Sequence, residues 1–240
     1  MRRDQEKFRN LARQAIQLSS DKKYQADLEP NGFYHIYSRT NNKESIFKND
    51  GNRLFFLRKY GEFLHPYLKT FAYCLMGNHF HLLAQVRSEN HIIKAIKKTT
   101  FNKRIKIQRE ALTLDIDEVE FPTIIHKQFH RFFTSYVAAL NKQQDRQGNL
   151  FNRPFKRIAV EDESHLRQLI FYIHANPSHH GVQVDFKSYE WSSYQTLLNN
   201  ESTCLERKEV MEWFTDREGF IDFHNQKPLF AAPSTLPIED

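Results

Sequence analysis

The order of the predicted elements favours an α+β fold, a ferredoxin-like antiparallel sheet with helices packed on it. Two observations lead to this prediction. Strand-like alternation and helix-like apolar spacing follow one another as strand, helix, strand pair, helix, strand and helix. The strand pair consists of two apolar runs joined by Gly77-Asn78, which is a hairpin signal, and hairpin strands are antiparallel. We expect the helices to lie on one side of the sheet.

Length and composition allow one large domain, or one domain with an appendage. The chain has 240 residues, of which 40% are hydrophobic and 21 are Phe, so it can bury a substantial core and is not disordered overall. We expect an N-terminal arm over residues 1–29, the main domain over 30–200, and a C-terminal extension and tail over 201–240.

Charge and cysteine content restrict the class of protein. The net charge of +6 and the pI near 9.2 fit a polyanionic partner, although many proteins without such a partner are equally basic. Cys74 and Cys204 are too few for a disulfide framework or a cysteine zinc site. The chain has no long apolar run and no apolar signal core at its start, so we expect a cytoplasmic protein without a membrane partner.

The first predicted elements are a strand and a helix. Residues 32–39 (GFYHIYSR) alternate and are rich in aromatics, which is typical of a strand. Residues 51–64 show helical spacing after a polar loop. The apolar positions of this helix are Leu54, Phe55, Leu57, Tyr60 and Phe63.

The strand pair spans residues 70–86 (TFAYCLMGNHFHLLAQV). Because side chains alternate along a strand, its second half has a core face and an opposite face that we expect to be wet. The core face carries Phe80, Leu82, Ala84 and Val86, and the opposite face carries His79, His81, Leu83 and Gln85.

Two helices, one strand and one further helix follow. Residues 91–111 form a Lys- and Arg-rich helix, either a solvated face or a phosphate contact. After an acidic connector, residues 124–141 form a Phe-rich packing helix. A short strand over 157–160 leads to a helix over 163–175, capped by Asp162 or Ser164. A short helical pattern also surrounds residues 209–214.

The two histidines of the strand pair are the first candidate site. Side by side at strand spacing, His79 and His81 can share one divalent ion. The alternative is two polar residues on the wet face of a strand. The pair therefore needs a third member to indicate a metal site.

The helix over 163–175 offers that member. Tyr172 and Asn176 are four residues apart and project together at its last turn. The Asn176 amide oxygen can complete the coordination of a divalent ion, and Tyr172 can attack a phosphorus held on it. The alternative is that Tyr172 is a packing residue and Asn176 a helix C-cap before Pro177.

Five blocks of sequence resemble those of the HUH single-strand endonucleases, most closely the REP-associated tyrosine transposases and their insertion-sequence relatives. They occur in that family's order and span residues 30–198. The blocks are GFYHIYSRTNNKESIF (32–47), GNHFHLL (77–83), GNLFNRPFKRIAVED (148–162), FYIHANPSHHGV (171–182) and YEWSSY (189–194).

This resemblance implies an HUH endonuclease core with assigned site residues. His79 and His81 match the metal-binding histidines, Tyr172 matches the nucleophile, and Asn176 falls where relatives place a third ligand. Mixed imidazole and oxygen ligands suit Mg²⁺ or Mn²⁺, while zinc and nickel stay open. Tyr136 and Tyr194 compete as nucleophiles, but they lie in segments with packing patterns. His165 is a possible proton acceptor for the phenol.

The resemblance implies a metal-dependent single-stranded DNA endonuclease and strand transferase, that is, a transposase. Tyr172 would form a 5′-phosphotyrosine intermediate near a hairpin element such as a REP palindrome, in a bacterial, nucleoid-associated protein. We expect Arg153, Lys156, Arg157, Lys103 and Arg104 to contact DNA, although surface charge for solubility explains each one equally. The region over 94–122 is larger than in compact relatives, so the DNA path and a monomeric or homodimeric state stay open.

Two other functions compete with strand transfer. One is a hairpin-binding regulator that descends from such a transposase and no longer cleaves. The other is a zinc hydrolase that uses the same histidines, but the sequence has no acidic residue at the spacing of known zinc proteases.

Overall fold

The computed structural model describes residues 24–102, 120–152 and 154–226. These residues form a four-stranded sheet in the order β2-β3-β1-β4, and every neighbouring pair is antiparallel. The strands are β1 (Phe33–Arg39), β2 (Leu68–Leu75), β3 (His79–Val86) and β4 (Lys156–Val160). With helices between β1 and β2 and between β3 and β4, this is the ferredoxin-like order, and it confirms the predicted fold class.

The described part of the chain also contains helices, which we number in chain order. They are α1 (Asp50–Phe63), α2 (Glu89–Asn102), α3 (Phe121–Gln144), α4 (Glu163–His179), α5 (Tyr194–Leu198), α6 (Arg207–Trp213) and α7 (Arg217–Gln226). Short 3-10 turns occur at Asn41–Lys43 and Phe186–Ser188.

Helices α1 and α3 pack on the first face of the sheet. The Phe56 ring lies 4.9 Å from Phe132 of α3 and 5.2 Å from Phe80 of β3. Each buried phenylalanine contributes about 1.5–3 kcal/mol, so these rings fix both helices on the sheet. Of the predicted apolar positions of α1, Tyr60 is buried and Phe55, Leu57 and Phe63 pack against the core, whereas Leu54 is 61% exposed. The buried residues Asn52 and Phe56 were not predicted.

Helix α4 packs on the second face, so the expectation of helices on one side is wrong. Leu83 of β3 is buried there in one cluster with Ile170 and Ile173 of α4. Val210 and Phe220, from α6 and α7, belong to the same cluster. The face that carries His79 and His81 is therefore covered by protein and is not a wet face.

Helix α4 begins at the predicted cap and ends later than predicted. The Asp162 side chain accepts a 2.8 Å hydrogen bond from the His165 amide, as expected of an N-cap. The helix then continues through Pro177 to His179, and Asn176 is fully buried within it. Asn176 is therefore not a C-cap, which removes the alternative reading of this residue.

The chain on either side of the predicted main domain also contacts the sheet. Residues 24–26 run along β4, where the Ala26 amide donates to the Arg157 carbonyl at 3.1 Å. Leu28 is buried in the first core, and α7 is buried in the second. The domain boundaries near 29 and 200 stay predictions. None of the described helices is long and apolar enough to cross a membrane.

Candidate active site

The two histidines of β3 lie at the end of the strand that follows the hairpin turn. His79 is opposite Arg39 of β1, and His81 is opposite Tyr37. The two imidazole rings are perpendicular, with centroids 5.3 Å apart. His79 is 5% exposed and His81 is fully buried, because α4 covers this face. The predicted side-by-side placement of the pair is therefore present in the fold.

A third histidine, His35 of β1, is hydrogen-bonded to this pair. Its Nε2 lies 2.9 Å from Nδ1 of His81, and the two rings stack at 18°. One of these two nitrogens must carry the proton. If Nδ1 of His81 carries it, Nε2 of His81 keeps its lone pair and can bind a cation. His35 is then the residue that sets the tautomer and the ring orientation of His81.

His79 is held by two asparagines. Its Nδ1 lies 2.8 Å from Oδ1 of Asn78, an acceptor, so Nδ1 carries the proton and donates it. Its Nε2 then presents a lone pair, and this atom lies 3.1 Å from Oδ1 of Asn176. The Asn176 amide nitrogen donates to the Tyr172 carbonyl at 3.4 Å, which orients the amide oxygen toward the imidazole.

The contact between His79 and Asn176 brings two acceptor atoms together. Their separation shows whether both atoms could bind one metal ion. For a neutral imidazole, the two lone pairs at 3.1 Å repel each other unless a cation lies between them. Two ligand atoms at right angles, each about 2.1 Å from an ion, are about 3.0 Å apart. The His79 and Asn176 atoms therefore have the separation of two adjacent metal ligands.

The described residues bring no group of three or more His, Cys, Asp or Glu side chains together around a possible metal ion. The candidate ligand set is instead two imidazoles and one amide oxygen, from His79, His81 and Asn176. One oxygen ligand and two nitrogen ligands bind a divalent ion only weakly without further ligands. The set leaves coordination positions for water and phosphate, which is typical of Mg²⁺ and Mn²⁺ sites.

Tyr172 lies beside this ligand set. Its ring centroid is 5.7 Å from His81 and 6.1 Å from His35, and it meets both rings edge-on. It is one helical turn before Asn176, so α4 carries both residues toward β3. The phenol and the two imidazoles therefore meet within one chain. Tyr172 is 6% exposed, which makes the site a covered one.

The last turn of α4 places two further histidines over the site. The His179 ring lies 5.7 Å from Tyr172, and the exposed His180 ring lies 4.8 Å from His79. Burial, and then the charges of His180 and His81, lower the pKa of His179, which keeps its ring neutral and able to accept a proton. His165 lies seven residues before Tyr172, about 10 Å along the helix axis.

The competing tyrosines have structural roles. Tyr136 donates a 2.8 Å hydrogen bond to the Ile46 carbonyl on the first face of the sheet, and burial raises its pKa. Tyr194 packs against His174 and Phe220 in the second core, and burial raises its pKa as well. A raised pKa opposes formation of the phenolate, so neither residue is a good nucleophile.

The predicted DNA contacts are placed unequally. Lys103, Arg104 and Arg153 lie outside the described residues. Arg157 is 6% exposed, and its guanidinium donates to the Ala26 and Phe155 carbonyls, so it anchors the chain beside β4. Lys156 is half-buried, with its ammonium 4.8 Å from the Tyr24 ring centroid. Among the five predicted DNA contacts, Lys156 is the one that the structure describes and leaves partly exposed, so it remains available to a phosphate.

Sequence analysis missed His35, Asn78 and His179 as members of the site. The alternation of GFYHIYSR places His35 and Tyr37 on one strand face, but only the register with β3 shows that they meet His81. Asn78 was interpreted as a turn residue. His179 follows Pro177, where the helix was expected to have ended.

Comparison with known proteins gives one curated relative, and no protein-family model matches. Over 140 residues the chain is 25% identical to a protein of Haemophilus influenzae named as a REP-associated tyrosine transposase. The match covers 57% of this chain and 65% of that protein. A solved structure of a REP-associated tyrosine transposase bound to a REP hairpin is 14% identical, with a TM-score of 0.45, and covers 72% of this chain and 82% of that chain. The curated relative confirms the resemblance that the five sequence blocks predict.

Proposed function

We propose that this chain is a metal-dependent single-stranded DNA endonuclease and strand transferase that uses Tyr172 as its nucleophile. One observation carries the proposal. Helix α4 brings the Tyr172 ring within 5.7 Å of His81 and the Asn176 oxygen within 3.1 Å of His79. A phenol beside two imidazoles and an amide oxygen is a set of groups that can carry out phosphodiester transfer through tyrosine.

The chemistry of the chain's own groups is a transesterification. Tyr172 loses its proton to a neighbouring acceptor, and its Oη forms a bond to the scissile phosphorus. The bond from phosphorus to the 3′-oxygen breaks, and the released 3′-oxygen takes up a proton. The resulting 5′-phosphotyrosine keeps the phosphodiester energy, so a second 3′-hydroxyl can attack it and rejoin strands without ATP.

His79, His81 and Asn176 would hold the divalent ion, for which Mg²⁺ or Mn²⁺ is our proposal. When bound there, the ion supplies Lewis-acid polarisation of the phosphate and relief of its negative charge. Around it, Asn78 and His35 fix the rotation of the two imidazoles. The cover provided by α4 limits water at the phosphorus, which protects the covalent intermediate from hydrolysis.

We propose single-stranded DNA that carries a hairpin as the substrate. The five sequence blocks and the name of the curated relative, a REP-associated tyrosine transposase, support this choice. The net charge of +6 favours a polyanion, and Lys156 on the edge strand β4 is a candidate phosphate contact. A protein of this charge would act in contact with DNA in the bacterial cytoplasm.

The burial of the site favours a second function, hairpin binding without cleavage. Tyr172 is 6% exposed, and His179 and His180 lie over it and over His79. The last turn of α4 would therefore restrict the access of a phosphate to the phenol. A chain in which it stays closed would bind DNA on its basic surface and regulate without cutting.

A covalent adduct assay distinguishes the two functions. The full chain is incubated with a single-stranded DNA hairpin that has single-stranded flanks, with Mn²⁺, and run on a denaturing gel. Strand transfer predicts a protein–DNA adduct that needs the ion and is lost in Tyr172→Phe. Tyr73→Phe is the matched control, because Tyr73 lies on β2, outside the ligand set.

The same samples also measure binding. Tyr172→Phe is expected to bind the hairpin as tightly as the unmodified chain, because one hydroxyl is removed and the ring stays. Binding without an adduct at any divalent ion supports the regulator. An adduct that persists in Tyr172→Phe rules out Tyr172 as the nucleophile.

A further inference from the structure

Arg39 is the last residue of β1 and lies directly opposite His79, the first residue of β3. We propose that Arg39 is a phosphate-binding residue of the candidate active site. Its guanidinium would bind the nonbridging oxygens of the scissile phosphate, beside the divalent ion. This inference rests on the proposed function and adds to it the side chain that holds the anionic part of the substrate.

The register of the sheet places Arg39 on the same face as the proposed ligands. Residues directly opposite each other on antiparallel strands share a face, with Cβ atoms about 4.5–5.5 Å apart. Side chains also alternate along β1, so Arg39 shares its face with His35 and Tyr37, whose rings stack on each other. The Tyr37 ring in turn stacks on His81, with centroids 5.5 Å apart. The Arg39 side chain therefore rises from the sheet beside both proposed imidazole ligands.

The length of its side chain lets Arg39 reach a phosphate that lies at the ion. Strand side chains stand roughly perpendicular to the sheet. An arginine side chain is longer than a histidine side chain, so the Arg39 guanidinium can extend past Nε2 of His79, toward the coordination positions that the ligand set leaves to phosphate. Arg39 is half-buried, which keeps it open to a ligand from solvent. Partial burial also strengthens its hydrogen bonds to an anion, because the local dielectric is lower than that of water.

The backbone around Arg39 is held on two sides. The Asn152 amide donates to the Arg39 carbonyl at 2.8 Å. The amide of the next residue, Thr40, donates to the Asn78 carbonyl at 2.9 Å, which ties the end of β1 to the turn that precedes His79. These bonds fix the spacing of Arg39 and His79 before any substrate binds. A donor that is fixed in advance stabilises charge in a transition state without a cost of reorganisation.

The charges of the reacting groups favour a guanidinium at this position. The proposed ligands His79, His81 and Asn176 are uncharged in the forms that bind an ion. Tyr172 must approach an anionic phosphate as a phenolate, so a cation on the nonbridging oxygens reduces the repulsion between nucleophile and substrate. A planar guanidinium donates two parallel hydrogen bonds to these oxygens, whereas an ammonium acts as a point charge. An arginine beside His79 therefore suits the substrate that the ligand set is proposed to hold.

A binding cycle locates the phosphate that Arg39 contacts. The full chain with Tyr172→Phe, which keeps the ring but cannot form the adduct, is mixed with Mn²⁺ and a flanked DNA hairpin. One phosphate at a time is replaced by a neutral methylphosphonate, and affinity is measured with and without Arg39→Gln. At one position we expect about tenfold weaker affinity from either change alone, and little further loss from both. Arg58→Gln, an exposed arginine on α1, is the matched control and should give additive losses. Additive losses for Arg39→Gln at every position overturn the inference.

Adduct kinetics distinguish phosphate binding from a structural role. With Tyr172 intact and DNA limiting, Arg39→Gln should slow adduct formation by about 10²-fold, and Arg39→Lys, which keeps the charge, should recover part of the rate. Mn²⁺ affinity should be retained in Arg39→Gln, because the lost guanidinium repelled the ion, whereas a disturbed His79 would weaken Mn²⁺ binding. An unchanged adduct rate overturns the inference. A rate loss that is accompanied by weaker Mn²⁺ binding overturns it as well.

The binding cycle and the adduct assay fail independently. An adduct that depends on Tyr172, together with additive losses in the cycle, removes the contact at Arg39 and keeps the proposed function. The same result follows if the coupled phosphate is not the one at which the adduct forms. Coupled losses without any adduct keep the phosphate at Arg39 and remove strand transfer. Absence of any binding to the flanked hairpin removes both.

Discussion

Oδ1 of Asn176 lies 3.1 Å from Nε2 of His79 and links α4 to β3 across 97 positions of sequence. The hydrogen bond from His79 to Asn78 makes both facing atoms acceptors. The fold therefore holds two electron-pair donors together at a cost in repulsion, which a bound cation would remove.

The first prediction concerns Asn176. Asn176→Ala removes a proposed ligand oxygen, whereas Asn176→Asp keeps an oxygen and adds a charge that attracts a cation. We expect the affinity for Mn²⁺, measured by titration calorimetry, to fall at least about tenfold in the alanine variant and to be retained in the aspartate variant. Asn200→Ala, on an exposed segment, is the control. Equal Mn²⁺ affinity in Asn176→Ala and the unmodified chain would exclude Asn176 as a ligand.

The second prediction concerns His35. His35→Phe keeps a ring to stack on His81 and removes the 2.9 Å bond to its Nδ1. Because that bond sets the tautomer of His81, Mn²⁺ affinity should fall by about 10–100-fold while the protein stays folded. His35→Gln offers an acceptor again and should recover part of the affinity.

His91→Gln is the control for this pair, because His91 is exposed on α2. The idea that His35 positions His81 fails if the phenylalanine variant binds Mn²⁺ normally. It also fails if the glutamine variant is no better than the phenylalanine variant. Circular dichroism of each variant shows whether the fold is retained.

Local patterns in the sequence predict the sheet and the relative placement of the proposed site residues. Alternation in GFYHIYSR and the Gly77-Asn78 turn locate three strands, and the hairpin makes His79 and His81 neighbours on one face. Four-residue spacing places Tyr172 and Asn176 together on α4. Each of these is a local pattern, with a period set by the backbone itself.

What the sequence could not predict depends on contacts between distant segments. The histidine face of β3 was expected to be wet, because no local signal shows that α4 packs over it. The burial of Asn52 on α1 was missed, because its amide bonds to Gln143 of the distant helix α3 at 2.8 Å. The bond between His35 and His81 requires the β1–β3 register, and a shift by one residue would place His35 on the other face.

The third prediction concerns the proton acceptor for Tyr172. The Nε2 of His179 is buried without a hydrogen-bond partner among the residues described, and the ring lies 5.7 Å from Tyr172. We expect His179→Gln to slow adduct formation by about 10²-fold, the usual contribution of a general base. In this variant, the rate of adduct formation should also lose the part of its pH dependence that reflects protonation of His179. A larger loss in His165→Gln would instead favour the acceptor predicted from sequence.

The fourth prediction concerns a chain of hydrogen bonds in the second core. His224 donates from Nδ1 to the Phe220 carbonyl at 2.7 Å, so its Nε2 accepts from Nδ1 of His174 at 3.0 Å. Nε2 of His174 then accepts from the Ser193 hydroxyl at 2.8 Å, and Ser193 accepts from the Tyr73 amide. These donor and acceptor roles are consistent with one another only if the imidazoles of His174 and His224 are both neutral. The chain joins α4, α7 and β2 and so supports the helix that carries Tyr172.

The pKa values of both imidazoles predict how stability depends on pH. Burial lowers the pKa of His174 well below its ordinary value, and it lowers that of His224 to about 4, against about 6.5 in an unfolded chain. Between pH 6.5 and 4 the unfolded chain therefore binds protons that the folded chain does not. The contribution to the free energy of unfolding is complete above pH 6.5 and is lost as the pH falls, by up to about 3 kcal/mol for His224.

Urea unfolding at a series of pH values checks this effect. His224→Gln keeps a donor and an acceptor but cannot titrate, so its free energy of unfolding should fall less steeply between pH 6.5 and 4 than that of the unmodified chain. His91→Gln, a substitution of an exposed histidine on α2, is the matched control. Parallel slopes for His224→Gln and the unmodified chain would mean that His224 is charged in the folded state. The hydrogen-bond directions assigned to the second core would then be wrong, since a charged His224 cannot accept from His174.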